Sequence, residues 1–118
     1  MTSVLFDSEW KIMDLIWKNE PISAKEVSRL AEETIGWNKN TTYTVVKKLV
    51  AKGVLKRTDP GFVCTSLVSR DSVRRQETKT LVDKVFGGSK KALFSALLDD
   101  ETLSREELDE LREMIEGR

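Results

Sequence analysis

Asn40, Thr41, Tyr43, Thr44 and Lys47 share one face of a stretch that reads as a helix, WNKNTTYTVVKKLVAKG at 37–53. Their side chains suit a DNA groove. Asn can bond the edge of adenine twice, and a Thr methyl can meet the thymine methyl. Tyr can stack or bond a phosphate, and Lys and Thr reach phosphate oxygens. Lys39 and Lys48 add charge that raises affinity for any duplex. The competing reading is a solvated polar face on an ordinary helix. The surrounding composition favours DNA contact: from Thr34 to Thr58 there is no Asp or Glu, while Lys39, Lys47, Lys48, Lys52, Lys56 and Arg57 all fall within it. Lys56 and Arg57 open a strand-like run, where phosphate contact and simple edge-strand protection by charge are equally good accounts.

The formal net charge of the 118 residues is zero, and the zero hides a strong polarity. Residues 37–58 carry a net +6 and residues 59–96 a net +3, whereas residues 1–36 carry −3 and residues 97–118 carry −6. Segment charges of this kind point to a polyanion partner that the whole-chain balance conceals.

Helical spacing places Trp10, Met13, Ile16 and Trp17 on one stripe of residues 8–18, with Asp7 or Ser8 as the cap and Glu20-Pro21 as the stop. Ser23-Ala24-Lys25-Glu26 has the form of a capping box and opens a helix with Val27, Leu30 and Ala31 inward, ending near Thr34. Ile35-Gly36-Trp37 is a turn. Asn38 caps the third helix, whose inner face is Thr42, Val45, Val46 and Leu49 and whose stop is Gly53. Lys52 suits the negative end of that helix. Val54–Arg57 and Phe62–Thr65 then read as a hairpin about Asp59-Pro60-Gly61. Three short helices and a hairpin make the order of a winged helix-turn-helix domain, filling residues 1–68.

Residues 69–118 read as three further helices. Ser69 caps the first (70–86), Gly87-Gly88 ends it, Ser89 restarts the chain, and Ser104-Arg105-Glu106-Glu107 is a second capping box. The fold class is therefore mainly α with a small β-hairpin, a winged helix-turn-helix domain followed by a C-terminal helical dimerisation region. These helices cannot enclose a core alone, yet they bear Leu81, Val85, Phe86, Leu93, Leu97, Leu111 and Ile115. A two-fold homodimer covers such a stripe, and a two-fold protein reads a palindromic operator.

Other classes find little support. Histidine is absent and the single cysteine, Cys64, stands in a strand, where it reads as a small buried hydrophobe. No zinc cluster or phosphate loop is present, so neither a metal nor a cofactor is expected, and the chain is read as no enzyme. Asp99, Asp100 and Glu101 could hold a hard cation, but a solvated helix start explains them better. Trp10, Trp17 and Trp37 read as core rather than as a ligand cage. No run is apolar enough for a membrane span and no secretion signal opens the chain, so a cytoplasmic location is expected. The alternative to DNA binding is a winged-helix module that docks a protein through the same basic face.

SEWKIMDLIW, ISAKEVSRLAEE, TTYTVVKKLVAKGVLKR, KVFGGSKKAL and LSREELDELREMI occur in this order. Together they resemble the BlaI/MecI/CopY family of penicillinase and methicillin-resistance repressors, from about Phe6 to Ile115. The resemblance implies a homodimeric winged-helix repressor on operators with TACA/TGTA-like half-sites. It also implies groove-reading roles for Asn40, Thr41, Tyr43, Thr44 and Lys47, with Tyr43 standing where basic residues are common. Antibiotic-responsive members of that family are cut at an Asn-Phe bond through a sensor-protease pathway. Ala96-Leu97 occupies the corresponding place here, so the bond that pathway uses is replaced. Copper-responsive members carry a C-terminal Cys-x-Cys pair, and this sequence ends in EGR.

Overall fold

The computed structural model describes residues 5–99 and 102–117. They form two compact units that divide after residue 77. The first unit is a three-helix cluster closed by a small sheet, and the elements run α1 (Asp7–Asn19), β1 (Ile22–Ser23), α2 (Ala24–Ile35), α3 (Lys39–Ala51), β2 (Leu55–Thr58) and β3 (Val63–Ser66). Ile12, Met13 and Ile16 of α1, Val27 and Ala31 of α2, and Val46 and Leu49 of α3 are fully buried. Each such large side chain contributes about 1.5–3 kcal/mol relative to exposure. The inner face expected for α3 is the observed one: Thr42, Val45, Val46 and Leu49 are its buried residues. Trp10, Trp17 and Trp37 are half-buried and pack on the core, as their spacing indicates, and Trp10 and Trp17 meet edge to face at 5.7 Å.

Two expected caps differ. The first helix is capped at Phe6, not at Asp7 or Ser8, and Phe6 has no acceptor to offer. Glu9 serves instead, its Oε1 accepting the Phe6 N–H at 2.8 Å. At α2 the Ser23 hydroxyl accepts the Glu26 N–H at 3.1 Å, as a capping box requires. The return bond from Glu26 is replaced, because its carboxylate takes Arg29 one turn along. Gly36 then closes α2 in the left-handed region at φ 69°.

The hairpin lies one residue later than its hydrophobic pattern indicates. Val54 is 2% exposed, and its N–H donates to Leu49 O at 3.1 Å, so it completes the end of α3 rather than starting a strand. Phe62 leaves the extended region altogether, at φ 48°. A third strand is present that the sequence does not announce: β1 pairs antiparallel with β3 through Ile22–Cys64 and Ser23–Val63, giving the order β1-β3-β2. Two residues are too few for any periodicity, and β1 exists only because β3 offers it an edge.

Helix α4 (Arg70–Val85) starts on Ser69, whose hydroxyl accepts the Ser72 N–H. Its first turns belong to the first unit. Val73 is 1% exposed in that core, Arg70 pairs with Asp14 at 3.2 Å, and Glu77 accepts the Leu5 N–H at 3.0 Å. Trp17 Nε1 donates to Val68 O at 3.0 Å just before the helix. By packing, the first unit thus runs on through residue 77.

The second unit holds the end of α4, α5 (Lys90–Leu98) and α6 (Arg105–Glu116). Gly87 and Gly88 both take positive φ between α4 and α5. The Ser104 capping box forms in full, with hydroxyl and Glu107 carboxylate each accepting the other's backbone N–H. Neither α5 nor α6 has a buried residue among those described. No described helix is long and apolar enough to cross a membrane.

Candidate nucleic-acid interface

Helix α3 presents its polar face because its apolar one is used. Thr42, Val45, Val46 and Leu49 turn inward, which leaves Asn40, Thr44 and Lys47, at i, i+4 and i+7, on the opposite side. Lys39, Asn40, Thr41, Thr44, Lys47 and Lys48 are all exposed. The first turn contains no acid, and Asn38 Oδ1 caps it by accepting the Thr41 N–H at 2.8 Å. A helix N-terminus with no acid in its first turn and lysine beside it attracts anions.

Thr44 has one further property. Its hydroxyl donates to Asn40 O at 2.8 Å within the helix. The hydroxyl proton is therefore used internally, which leaves the methyl and the acceptor side of the hydroxyl oxygen for contact chemistry.

Tyr43 stands apart from the other expected readers. It is half-buried, and its ring meets Phe62 edge to face, 6.1 Å between centroids and 86° between planes. Lys39 Nζ lies 5.7 Å from the Tyr43 ring centre. The Arg57 guanidinium in turn sits 3.7 Å from the Phe62 ring centre. Arg57 also pairs with Asp59, Nε to Oδ2 at 3.1 Å, and Asp59 Oδ1 accepts the Phe62 N–H at 3.3 Å. Lys39, Tyr43, Phe62 and Arg57 thus link the first turn of α3 to the wing, with a cation at each end. Phe62 escaped the sequence reading because a strand pattern absorbs it; its left-handed backbone carries no signal in a phenylalanine.

Lys52 does more than cap the α3 dipole. Its Nζ meets Glu9 Oε1 at 2.7 Å, and it lies 4.6 Å from the Phe6 ring centre. The acid that neutralises it comes from α1, which the sequence places 43 residues away.

Cys64 is fully buried, and burial pushes its thiol pKa up against the lowering effect of Arg57. No group of three metal-ligating residues occurs among the described residues; Asp100 and Glu101 lie outside them. In the second unit Leu81, Val85, Leu97 and Ile115 are exposed, and Phe86, Leu93 and Leu111 are half-buried. Phe94, Leu98, Leu108, Leu111 and Ile115 line an open groove of about 490 Å³ between α5 and α6. Ala96 and Leu97 lie exposed in α5.

Known proteins are similar to this chain. The chain is 27% identical over 116 residues to the methicillin resistance regulatory protein MecI of Mammaliicoccus sciuri, covering 97% of this chain and 94% of that protein. It is 26% identical over 110 residues to the penicillinase repressor of Staphylococcus aureus, covering 92% and 87%. To the penicillinase repressor of Bacillus licheniformis it is 27% identical over 112 residues, covering 93% and 88%. Among solved structures, the DNA-binding domain of the repressor BlaI superposes with a TM-score of 0.54 at 30% identity, covering 59% of this chain and 90% of that domain. The family model described as penicillinase repressor matches residues 5–117, and the chain belongs to that family.

Proposed function

We propose that this protein is a DNA-binding transcriptional repressor that acts as a homodimer on a palindromic operator, with α3 in the major groove. The observation that carries the reading is the outward face of α3: six exposed polar and basic residues, no acid in the first turn, and a wing beside it. Asn40, Thr41 and Thr44 supply base-edge contacts, and Lys39, Lys47, Lys48 and Arg57 supply phosphate contacts. The second unit supports the dimer. So short a stretch with so little buried apolar surface rarely holds together unaided, and Phe94, Leu97, Leu98, Met114 and Ile115 are between 44% and 63% exposed. Leu81, Val85, Phe86, Leu93, Leu97, Leu111 and Ile115 would close against their copies across the two-fold axis.

The test is binding to the promoter region of its own gene against a random duplex at several salt concentrations. Lys47→Ala weakens binding to every sequence and lowers the salt slope by about 0.9. Thr44→Val keeps a methyl for the groove and retains most of the sequence preference, because the hydroxyl proton it loses already bonds Asn40 O. Thr44→Ser removes the methyl and relaxes preference by about 0.8 kcal/mol, roughly fourfold. Equal affinity for promoter and random DNA would sink sequence-specific recognition. A stoichiometric protein partner recovered with no DNA retention would establish the docking module instead.

A further inference from the structure

We infer that Phe62 is a positioning residue for Arg57: its ring holds the guanidinium of the wing in place before DNA arrives, and Tyr43 props that ring from α3. The inference rests on the DNA-binding reading of α3 and assigns Tyr43 a role other than base contact. Arg57 is a long side chain on a four-residue edge strand and is otherwise exposed. Left to itself it would sample many rotamers, and fixing it on DNA would cost binding free energy. Here the guanidinium lies over the Phe62 ring at 3.7 Å, well within the range of a cation–aromatic contact. Asp59 bonds its Nε–H edge, and the terminal amino groups have no other partner among the described residues. Those amino groups are the fork that suits phosphate oxygens.

The residue itself is held from three sides. Tyr43 meets its ring edge to face, Asp59 accepts the Phe62 N–H, and the Phe62 carbonyl accepts the Ala24 N–H at 2.9 Å, at the first residue of α2. A phenylalanine at φ 48° adopts a backbone conformation that its side chain disfavours, and these contacts maintain it. The wing cation is therefore indexed to both helices of the helix-turn-helix. Tyr43, half-buried and engaged with Phe62, spends its ring on this support.

Because a phosphate contact is independent of sequence, the probe is a random-sequence duplex of about 20 base pairs, titrated by fluorescence anisotropy across a salt series. Arg57→Ala should weaken binding and lower the salt slope by about 0.9. Phe62→Leu should weaken binding by about two- to tenfold, the cost of immobilising one long side chain, with the slope unchanged. Phe62→Tyr, which keeps the ring face, should bind as the parent does. In the Arg57→Ala background Phe62→Leu should add nothing. Tryptophan fluorescence melts check the fold, and Phe62→Met replaces Phe62→Leu should the latter melt early. Equal losses from the Phe62 change with and without Arg57 would overturn the inference while leaving DNA binding intact. No loss from either Arg57→Ala or Lys47→Ala would overturn the DNA-binding reading and the inference together.

Discussion

Glu9 is the buried acid on which the first unit is most exposed to mutation, and the structure sets an asymmetry that can be measured. It is 2% exposed; its Oε1 accepts from Phe6 N–H at 2.8 Å and from Lys52 Nζ at 2.7 Å, while Oε2 is buried with no hydrogen-bond partner. Lys52 is 24% exposed and rests on the Phe6 ring. The two partners therefore differ in what they lose. Lys52→Met strands a carboxylate in the interior, a change in the class that costs about 3–5 kcal/mol. The surviving Phe6 N–H bond puts the expected loss near the lower end, about 3 kcal/mol. Glu9→Gln retains an acceptor for Phe6 and leaves an ammonium that reaches water, so about 1 kcal/mol is expected. The double variant should be more stable than Lys52→Met alone, with a coupling of about 2 kcal/mol. Trp10, Trp17 and Trp37 all lie in the first unit, so urea or thermal unfolding followed by tryptophan fluorescence reports that unit alone. For a unit of this size the Lys52→Met loss lowers Tm by on the order of 10–20 °C. Additive effects, or a Lys52→Met loss no larger than that of Glu9→Gln, would refute the idea that an uncompensated carboxylate sets the penalty.

Gly36 sits at φ 69° with open space where a methyl would stand, so Gly36→Ala should cost only the backbone term, about 1–2 kcal/mol, and Gly36→Asn less, as paired chemical melts would read. Native Cys64 should resist maleimide labelling at neutral pH and react only as fast as the first unit opens; rapid stoichiometric labelling would contradict its burial. Its raised thiol pKa also gives a sign: this contribution to stability is full below the ordinary thiol pKa and is lost as pH rises through the elevated folded value. Cys64→Ala should flatten that alkaline decline in a pH series of melts. Ile115→Asp places a charge in the apolar groove of the second unit and should drive a homodimer toward monomers in sedimentation. A parent protein that sediments as a folded monomer near 13.5 kDa at micromolar concentration would refute the proposed dimer.

Much of the site was legible in the chain because local chemistry specifies it. Asn38, Ser23, Ser69, Ser89 and Ser104 all act as the caps their spacing suggests, since a cap needs only its own next three residues. The inner face of α3 follows from 3.6-residue periodicity, and the exposed polar face is its complement. The misses were non-local. Phe6 could replace Asp7 as a cap only because Glu9 was already fixed by Lys52. Glu26 abandoned its capping box because Arg29 offered a charged partner one turn away. Val54 read as strand because an apolar residue before an alternating run has that form, and only the end of α3 could claim its N–H.

By itself the sequence determined the helices, most of their caps, the hairpin to within one residue, the acid-free basic stretch and the apolar stripe of the C-terminal helices, because each depends on residues within a turn or two of one another. The tertiary structure decided where long-range partners met. It made a strand of Ile22–Ser23, drew Val73 into the first unit, paired Lys52 with Glu9, and set the Tyr43 ring against Phe62 and Phe62 against the Arg57 guanidinium. The physical reason is common to all four. A side chain's intrinsic preference sets which contacts it favours, but only the packed chain brings the partner within the few ångströms over which those contacts act.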